Sequence, residues 1–404
     1  MRDSEAAWHE ALYGRSGFFT GGALPADHFR TAPHVGPELA EALLELLSRV
    51  DSALGCPARV DFVDVGAGGG ELSAAVRSLA TGSLADRLVV TAVDLAPPRP
   101  LPGVRWRTTL PPSVTGLLVG HEWLDAVPCP VVEWPCADPW LTRWWPLRPG
   151  WRAEVGAPRD RAWARAVGRV TRGAALAVDY GHVLADRAAG RYREGTFAAY
   201  RGGRRVEPVF DGSCDLTAHV ALDACAAAAG GDRVLVAQRD ALKALGLTES
   251  GPGGGANAGW AASTTSVAAS VAASASMAAS MAVSRSLRPR PVGGPNSEPG
   301  TGAPAPGVSD SRPGTGAPEP DHPTPGVSGS GSGAGAPWSR SGALSAGTGS
   351  GAAAWLAAAE RASRVAELRA VGGLGSFGWL LHGVGIPVSA LLPPLAPWTG
   401  SSVS

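Results

Sequence analysis

The sequence predicts a doubly wound α/β fold with a mostly parallel sheet, a smaller accessory region and a disordered insertion. Three observations carry that expectation. A short β-rich run, Arg59 to Val65, breaks at the glycines of positions 66 to 70 and yields to a helical pattern over Glu71 to Ala80. Further near-continuous apolar runs suit strands buried on both faces of a parallel sheet. From about residue 250 to 350 the composition collapses into Gly, Ala, Pro, Ser and Thr, with near-copies of an S-R-P-G-T-G-A-P unit.

The elements follow in order. Pro37 precedes Leu39, Leu43, Leu46, Leu47 and Val50, an apolar stripe at helical spacing that predicts a helix ahead of the first strand. Strand, tight turn and helix then run from Arg59 to Ala80. A second strand, Leu88 to Val93, closes at Asp94; a third, Val114 to Val119, ends near Glu122; a fourth, Ala174 to Val178, ends at Asp179 and Tyr180. Beyond the low-complexity tract, Trp355, Leu356, Ala359, Ala362, Val365 and Leu368 predict a helix, and Gly375 to Leu381 a loop entering a strand. The tract cannot bury enough apolar surface to offset its chain entropy, and the segment after it is too short to fold alone. Residues 1–249 and 351–390 are therefore read as one domain interrupted by an insertion at 250–350.

Composition narrows the partners. Lys+Arg and Asp+Glu both number 35, so no overall basic field draws nucleic acid or an anionic membrane surface. Five cysteines, without a C-x-x-C spacing, read as reduced thiols in a cytoplasmic protein, and the charged start of the chain lacks an apolar signal region. Ala261 to Ser284 and Val371 to Ser404 are almost free of charge, but Ala and Ser dominate one and Gly and Pro interrupt the other, so no membrane span is expected. The eight histidines show no H-E-x-x-H or clustered ligand spacing, and no metal site is expected.

The glycine-rich turn carries the chemistry. Asp64-Val65-Gly66-Ala67-Gly68-Gly69-Gly70 fits the pattern acid-x-Gly-x-Gly-x-Gly at a strand end, where glycines admit a ligand close to the backbone and the next helix offers free N–H groups. Nicotinamide and flavin folds use a related turn. Here the third glycine of their fingerprint falls on Glu71, and an anion at the helix start suits a pyrophosphate poorly. Asp64 is placed to attract the amino or sulfonium end of S-adenosylmethionine, and Asp94 to accept from ribose hydroxyls. Asp64, Gly66, Gly68, Gly70 and Asp94 are thus the expected cofactor residues.

Other segments, taken together, resemble one family. The runs Tyr13-Gly-Arg-Ser-Gly-Phe-Phe-Thr20 and His28-Phe-Arg-Thr-Ala-Pro33 lead into the turn. Gly120-His-Glu-Trp-Leu-Asp-Ala-Val-Pro128, Asp179-Tyr-Gly181, Gly195-Thr-Phe-Ala-Ala-Tyr200 and Asp215-Leu-Thr-Ala-His-Val220 follow. In this order they resemble the MidA-like family, related to the mitochondrial complex I assembly methyltransferases. The likeness spans about residues 8 to 248 and 351 to 381, and two places depart from it: Gly120-His121 stands where Asn usually precedes the Glu, and His28 with its neighbours replaces a Gly-Asp. The resemblance implies a class I methyltransferase that uses S-adenosylmethionine, with a protein arginine as the acceptor.

A guanidinium is a poor nucleophile, and carboxylates that grip its N–H groups can aim one nitrogen and hold charge on the others. Glu122 and Asp125, just past the third strand, are the expected catalytic residues; the competing reading makes them helix caps. His219 is expected on an apolar helix, and the tryptophans at 134, 140, 144, 145 and 151 are expected to pack beneath a loop. Tyr13 to Thr31 is expected to form a lid. Two rival functions stay open: a non-catalytic cofactor-binding assembly protein, and an NAD(P)-dependent oxidoreductase, which Glu71 and Asp64 disfavour.

Overall fold

The computed structural model describes residues 2–21, 32–248 and 349–401. The expected low-complexity insertion and His28 lie outside the described residues. Seven strands form the central sheet: β1 (Val60–Val65), β2 (Leu88–Val93), β3 (Val104–Arg107), β4 (Val114–His121), β5 (Val170–Asp179), β6 (Asp232–Ala237) and β7 (Gly378–Val384). Their order is β6-β7-β5-β4-β1-β2-β3, parallel except for β7, which runs antiparallel to both neighbours. The mostly parallel, doubly wound sheet expected from the sequence is the one observed. Chain direction across the sheet reverses between β1 and β4, and such a switch point opens a crevice at the strands' carboxyl ends. Register aligns those ends, with Val65 opposite both Val93 of β2 and Gly120 of β4.

The longer helices are α1 (Arg2–Tyr13), α2 (Glu38–Ala53), α3 (Glu71–Leu79), α4 (Ala157–Val167), α5 (Leu222–Ala229), α6 (Gln238–Ala244) and α7 (Gly349–Leu368). Strand alternation sends Phe62, Leu117 and Leu381 to one core with Leu39, Leu43 and Leu46 of α2, and Val63, Leu118 and Leu380 to the other with Trp163 and Leu222. The chain after residue 349 is fastened to the rest by Arg361 on Glu41 at 2.6 Å and Arg364 on the fully buried Glu38 at 2.9 Å. Inside, Trp379 Nε1 donates to Gln238 Oε1, and Gln238 Nε2 donates to the Leu368 carbonyl.

Sequence patterning missed β3 and β6. The first alternates Val-Arg-Trp-Arg at a half-exposed edge, and the second opens on Asp232-Arg233, so neither reads as a continuous apolar run. Between β4 and β5 an antiparallel pair, Val131–Glu133 with Arg152–Glu154, flanks a short helix, Pro139–Trp144, capped by Asp138. The tryptophans there mostly pack, as expected: Trp145 is fully buried and Trp140 Nε1 donates to Asp160 Oδ2 at 2.6 Å, while Trp134 is exposed. After β5 a three-stranded sheet places Ala198–Arg201 between Arg204–Val206 and Asp215–Thr217. His219 is not on a helix. It falls between Asp215–Thr217 and the two-residue strand Val220–Ala221, and the helix begins only at Leu222.

Candidate functional site

The glycine turn leaves β1 in left-handed backbone, with φ of +73° at Gly66, +57° at Gly68 and +83° at Gly70, a region that L side chains resist. Space adds to the restriction at both ends. A Cβ on Gly66 would lie 2.9 Å from the Trp123 ring, and one on Gly70 would lie 2.4 Å from Leu101. The turn is fastened to the end of β2: Gly68 N–H donates to Asp94 Oδ2 and Ala96 N–H to Asp94 Oδ1, both at 2.8 Å. A carboxylate has about four acceptor sites, so Asp94 retains capacity for hydroxyl donors. Asp64 is 2% exposed, and its Oδ2 accepts from Ser73 Oγ at 2.8 Å, tying β1 to α3 beneath the turn. Burial raises the Asp64 carboxyl to about 7 and also raises Asp94. Glu71 opens α3 and faces His34 at 3.6 Å; despite its burial, that contact and its own main-chain N–H hold it below the usual range.

Across the crevice, β4 runs two residues beyond its expected end and delivers Glu122 directly. Glu122 has φ +49°, a non-glycine in left-handed backbone, where its N–H donates to the Val178 carbonyl at 2.8 Å. Such strain costs about 1–3 kcal/mol and concentrates at functional positions. No helix follows, so neither Glu122 nor Asp125 is a helix cap. The loop is held by Asp179 at the end of β5, whose Oδ2 accepts from Leu124 and Asp125 N–H and whose Oδ1 accepts from Tyr180 N–H. Asp125 Oδ2 accepts from Tyr180 Oη and from Thr217 Oγ1. Beneath them the buried Arg159 lies over the Trp8 ring and donates to the carbonyls of Asp125, Val127, Ala218 and His219. It thereby joins the β4 loop to the Asp215–Thr217 strand. Tyr13 closes the group from α1, its Oη donating to the Ala126 carbonyl at 3.0 Å. The described part of the expected lid, residues 13 to 21, is thus packed down; 22–31 lie outside the described residues.

Burial dominates the electrostatics. Glu122 is pushed up to about 8 by desolvation and then by Asp125. Asp179 and Asp215 are pushed well above the carboxylate range by the same causes. His121, lowered to about 4 by burial, is neutral, so its 3.5 Å approach to Glu122 is no ion pair. Among the described residues, Glu122 Oε1, Asp125 Oδ1 and Asp215 Oδ1 are buried oxygens without a hydrogen-bond partner.

The structure therefore brings all seven expected residues to one edge of the sheet, with Asp64, Gly66, Gly68, Gly70 and Asp94 on one flank and Glu122 and Asp125 on the other. Sequence reasoning gave no role to Tyr180, Thr217, Arg159 or Asp215. The D-Y-G and D-L-T segments were the available signal for three of them; Arg159 had none, since its partners are main-chain carbonyls.

Residues 139–239 match the model of a family described as "Putative S-adenosyl-L-methionine-dependent methyltransferase". No curated protein matches. Among solved structures, a COG1565 superfamily member from Burkholderia thailandensis bound to S-adenosyl-homocysteine is 22% identical with a TM-score of 0.51, over 60% of this chain and 76% of that one. A native structure of a COG1565 superfamily protein from the same organism is 18% identical with a TM-score of 0.56, over 96% of this chain and 89% of that one. At these identities the likeness shows the fold. The family description agrees with the cofactor expected from the turn. Among the described residues no helix is long and apolar enough to cross a membrane, and no group of His, Cys, Asp and Glu is arranged to hold a metal ion.

Proposed function

We propose that this chain is an S-adenosylmethionine-dependent methyltransferase of the cytoplasm acting on a cationic side chain, an arginine of a protein. The observation that carries the reading is the placement of two unlike flanks at one switch point: the fastened glycine turn with Asp94, and buried carboxyls that lack a cation. The donor set fits the cofactor. Its acids, Asp64, Asp94 and Glu71, favour an amino group, a sulfonium and ribose hydroxyls over a pyrophosphate. When bound, that cofactor supplies a methyl on a sulfonium, whose sulfur leaves as a neutral thioether without protonation.

The residues of this chain then have three tasks. Asp94 and the turn from Gly66 to Gly70 hold the nucleoside end. Glu122 and Asp125 grip guanidinium N–H groups and aim one nitrogen along the line of displacement, so alignment supplies most of the acceleration. As that nitrogen gains its methyl it sheds a proton, and Glu122, whose buried carboxyl loses its own proton to solvent when the cation enters, is suited to accept it. Calorimetric titration with S-adenosylhomocysteine and with NADPH tests the cofactor, and binding of NADPH alone would sink the reading. Methyl transfer from labelled cofactor to arginines of a lysate tests the reaction. Cofactor binding without any transfer would instead mark a non-catalytic assembly protein.

A further inference from the structure

The strand Asp215–Thr217 presents its residues alternately. Leu216 turns to α1, where its carbonyl accepts from Trp8 Nε1 at 3.2 Å and its side chain joins the core around Trp8, Ala199 and Cys214. Asp215 and Thr217, two positions apart, share the opposite face. Thr217 fixes where that face looks, because its Oγ1 donates to Asp125 Oδ2 at 2.8 Å. The Asp215 carboxyl therefore lies one strand repeat along the same wall as Asp125, opposite Tyr200 in the antiparallel pair.

The acids here fall into two kinds. Asp179 has main-chain N–H donors on both oxygens, three in all, and shapes the loop. Asp215, Asp125 and Glu122 each keep one buried oxygen without a partner, although Asp125 is more than nine-tenths buried. The buried Arg159 makes no ion pair with them among the described residues: four of its N–H groups go to main-chain carbonyls. Buried carboxyls held high, as Glu122 and Asp215 are, give up their protons to an entering cation, and the oxygens then free on Glu122, Asp125 and Asp215 are complementary to a group made of donors alone. A guanidinium offers five N–H groups in a planar fork, whereas an ammonium offers three from one point.

We propose that Asp215 is a binding residue of the acceptor pocket, gripping a second edge of a guanidinium held by Glu122 and Asp125, and so selecting arginine over lysine. This rests on the reading of the acceptor as a cationic side chain. Three probes test it: acetyl-Gly-Arg-Gly-amide and its lysine and citrulline counterparts, titrated into the full chain saturated with S-adenosylhomocysteine. Wild type is expected to bind the arginine peptide at least tenfold more tightly than the other two. Asp215→Asn is expected to lose at least tenfold of that affinity, with the S-adenosylhomocysteine Kd within twofold and no fall in Tm. Arginine-peptide affinity unchanged in Asp215→Asn overturns the role of Asp215 alone, and so does a loss matched by a fall in Tm and in cofactor affinity. Wild type that binds S-adenosylhomocysteine but treats the three peptides alike overturns the cationic-acceptor reading itself. Should the Asn variant fail to fold, Asp215→Glu keeps the carboxyl and displaces it. An arginine-to-lysine preference shifted by less than threefold would then refute the proposal.

Discussion

The two flanks of the crevice solve the same problem, burying acids, in opposite ways. On the cofactor side each acid has its partners within one strand-turn-helix-strand unit: Asp64 has Ser73, and Asp94 has the Gly68 and Ala96 N–H groups. On the acceptor side Glu122, Asp125, Asp179 and Asp215 come from three separate segments, and three of the four keep an unpartnered buried oxygen. A satisfied buried acid stabilises a shape, while an unsatisfied one is a standing cost that a ligand can relieve. On the function proposed above, the difference separates residues that build the site from those that await a substrate.

The largest effect that could break this contrast lies at the turn. Gly68→Val places a β-branched side chain at φ +57°, beside an N–H already committed to Asp94. Wild type should gain melting temperature with S-adenosylhomocysteine, as any ligand of the native state requires. The variant should lose the shift entirely, and a retained shift removes the turn from the cofactor site.

Next comes the clamp between the acceptor-side segments. Arg159→Met keeps much of the volume but strips donors from four main-chain carbonyls, two of them in buried bonds, and should cost about 3 to 5 kcal/mol. Chemical denaturation measures it directly. A loss below about 1 kcal/mol would mean that the β4 loop and the Asp215–Thr217 strand hold together without it.

Glu122→Gln tests the acceptor side by rate and by pH. Removing one charge-assisted grip is worth roughly 1.5 to 3 kcal/mol, or about ten- to a hundredfold in turnover, with cofactor affinity unchanged. Because the folded-state pKa of Glu122 is raised to about 8, the native state binds the extra proton. Its contribution is full below the unfolded value near 4.5 and is lost as pH climbs through 8. Wild-type stability should therefore fall across that window, by at most about 1.4 kcal/mol per pH unit for this one group, and the Gln variant should show a shallower fall. Equal slopes, or wild-type turnover, would end the acceptor role of Glu122.

What the sequence made legible follows the same division. The turn, α3 and Asp94 were readable because strand, glycines and acid obey short-range rules of φ and hydrogen bonding. Glu122 and Asp125 were readable as acids after a strand, but not Glu122's left-handed backbone, which depends on β4 extending to His121. Asp215 looked like the start of a motif and nothing more, since its meaning depends on which face of a three-residue strand meets Asp125. Arg159 sat on an amphipathic helix like any solvated arginine. The short strand β3 and the charged start of β6 stayed hidden because edge and rim strands carry weak apolar patterns.

The smallest expected effect concerns the tract at 250–350, whose composition we read as an insertion. Both flanks of the crevice are complete in residues before it, but β7 and α7 come after it. They enter the same core, through Val365, Leu368, Trp379 and Leu381. Replacing residues 255–345 with a Gly-Ser linker of about twenty residues shortens the closing loop by about two doublings, which is worth only about 1 kcal/mol in favour of folding. Cofactor affinity should stay within about twofold, since the turn and Asp94 are untouched, and the melting temperature should hold or rise by a few degrees. Thermal shift with S-adenosylhomocysteine on both proteins decides the matter. If the shortened chain folds but no longer binds, the tract contributes to the cofactor site. If it fails to fold, the tract is part of the domain. Unchanged binding shows that the cofactor flank, fastened through Gly68, Ser73 and Asp94, works without the tract, as its construction within one strand-turn-helix-strand unit requires.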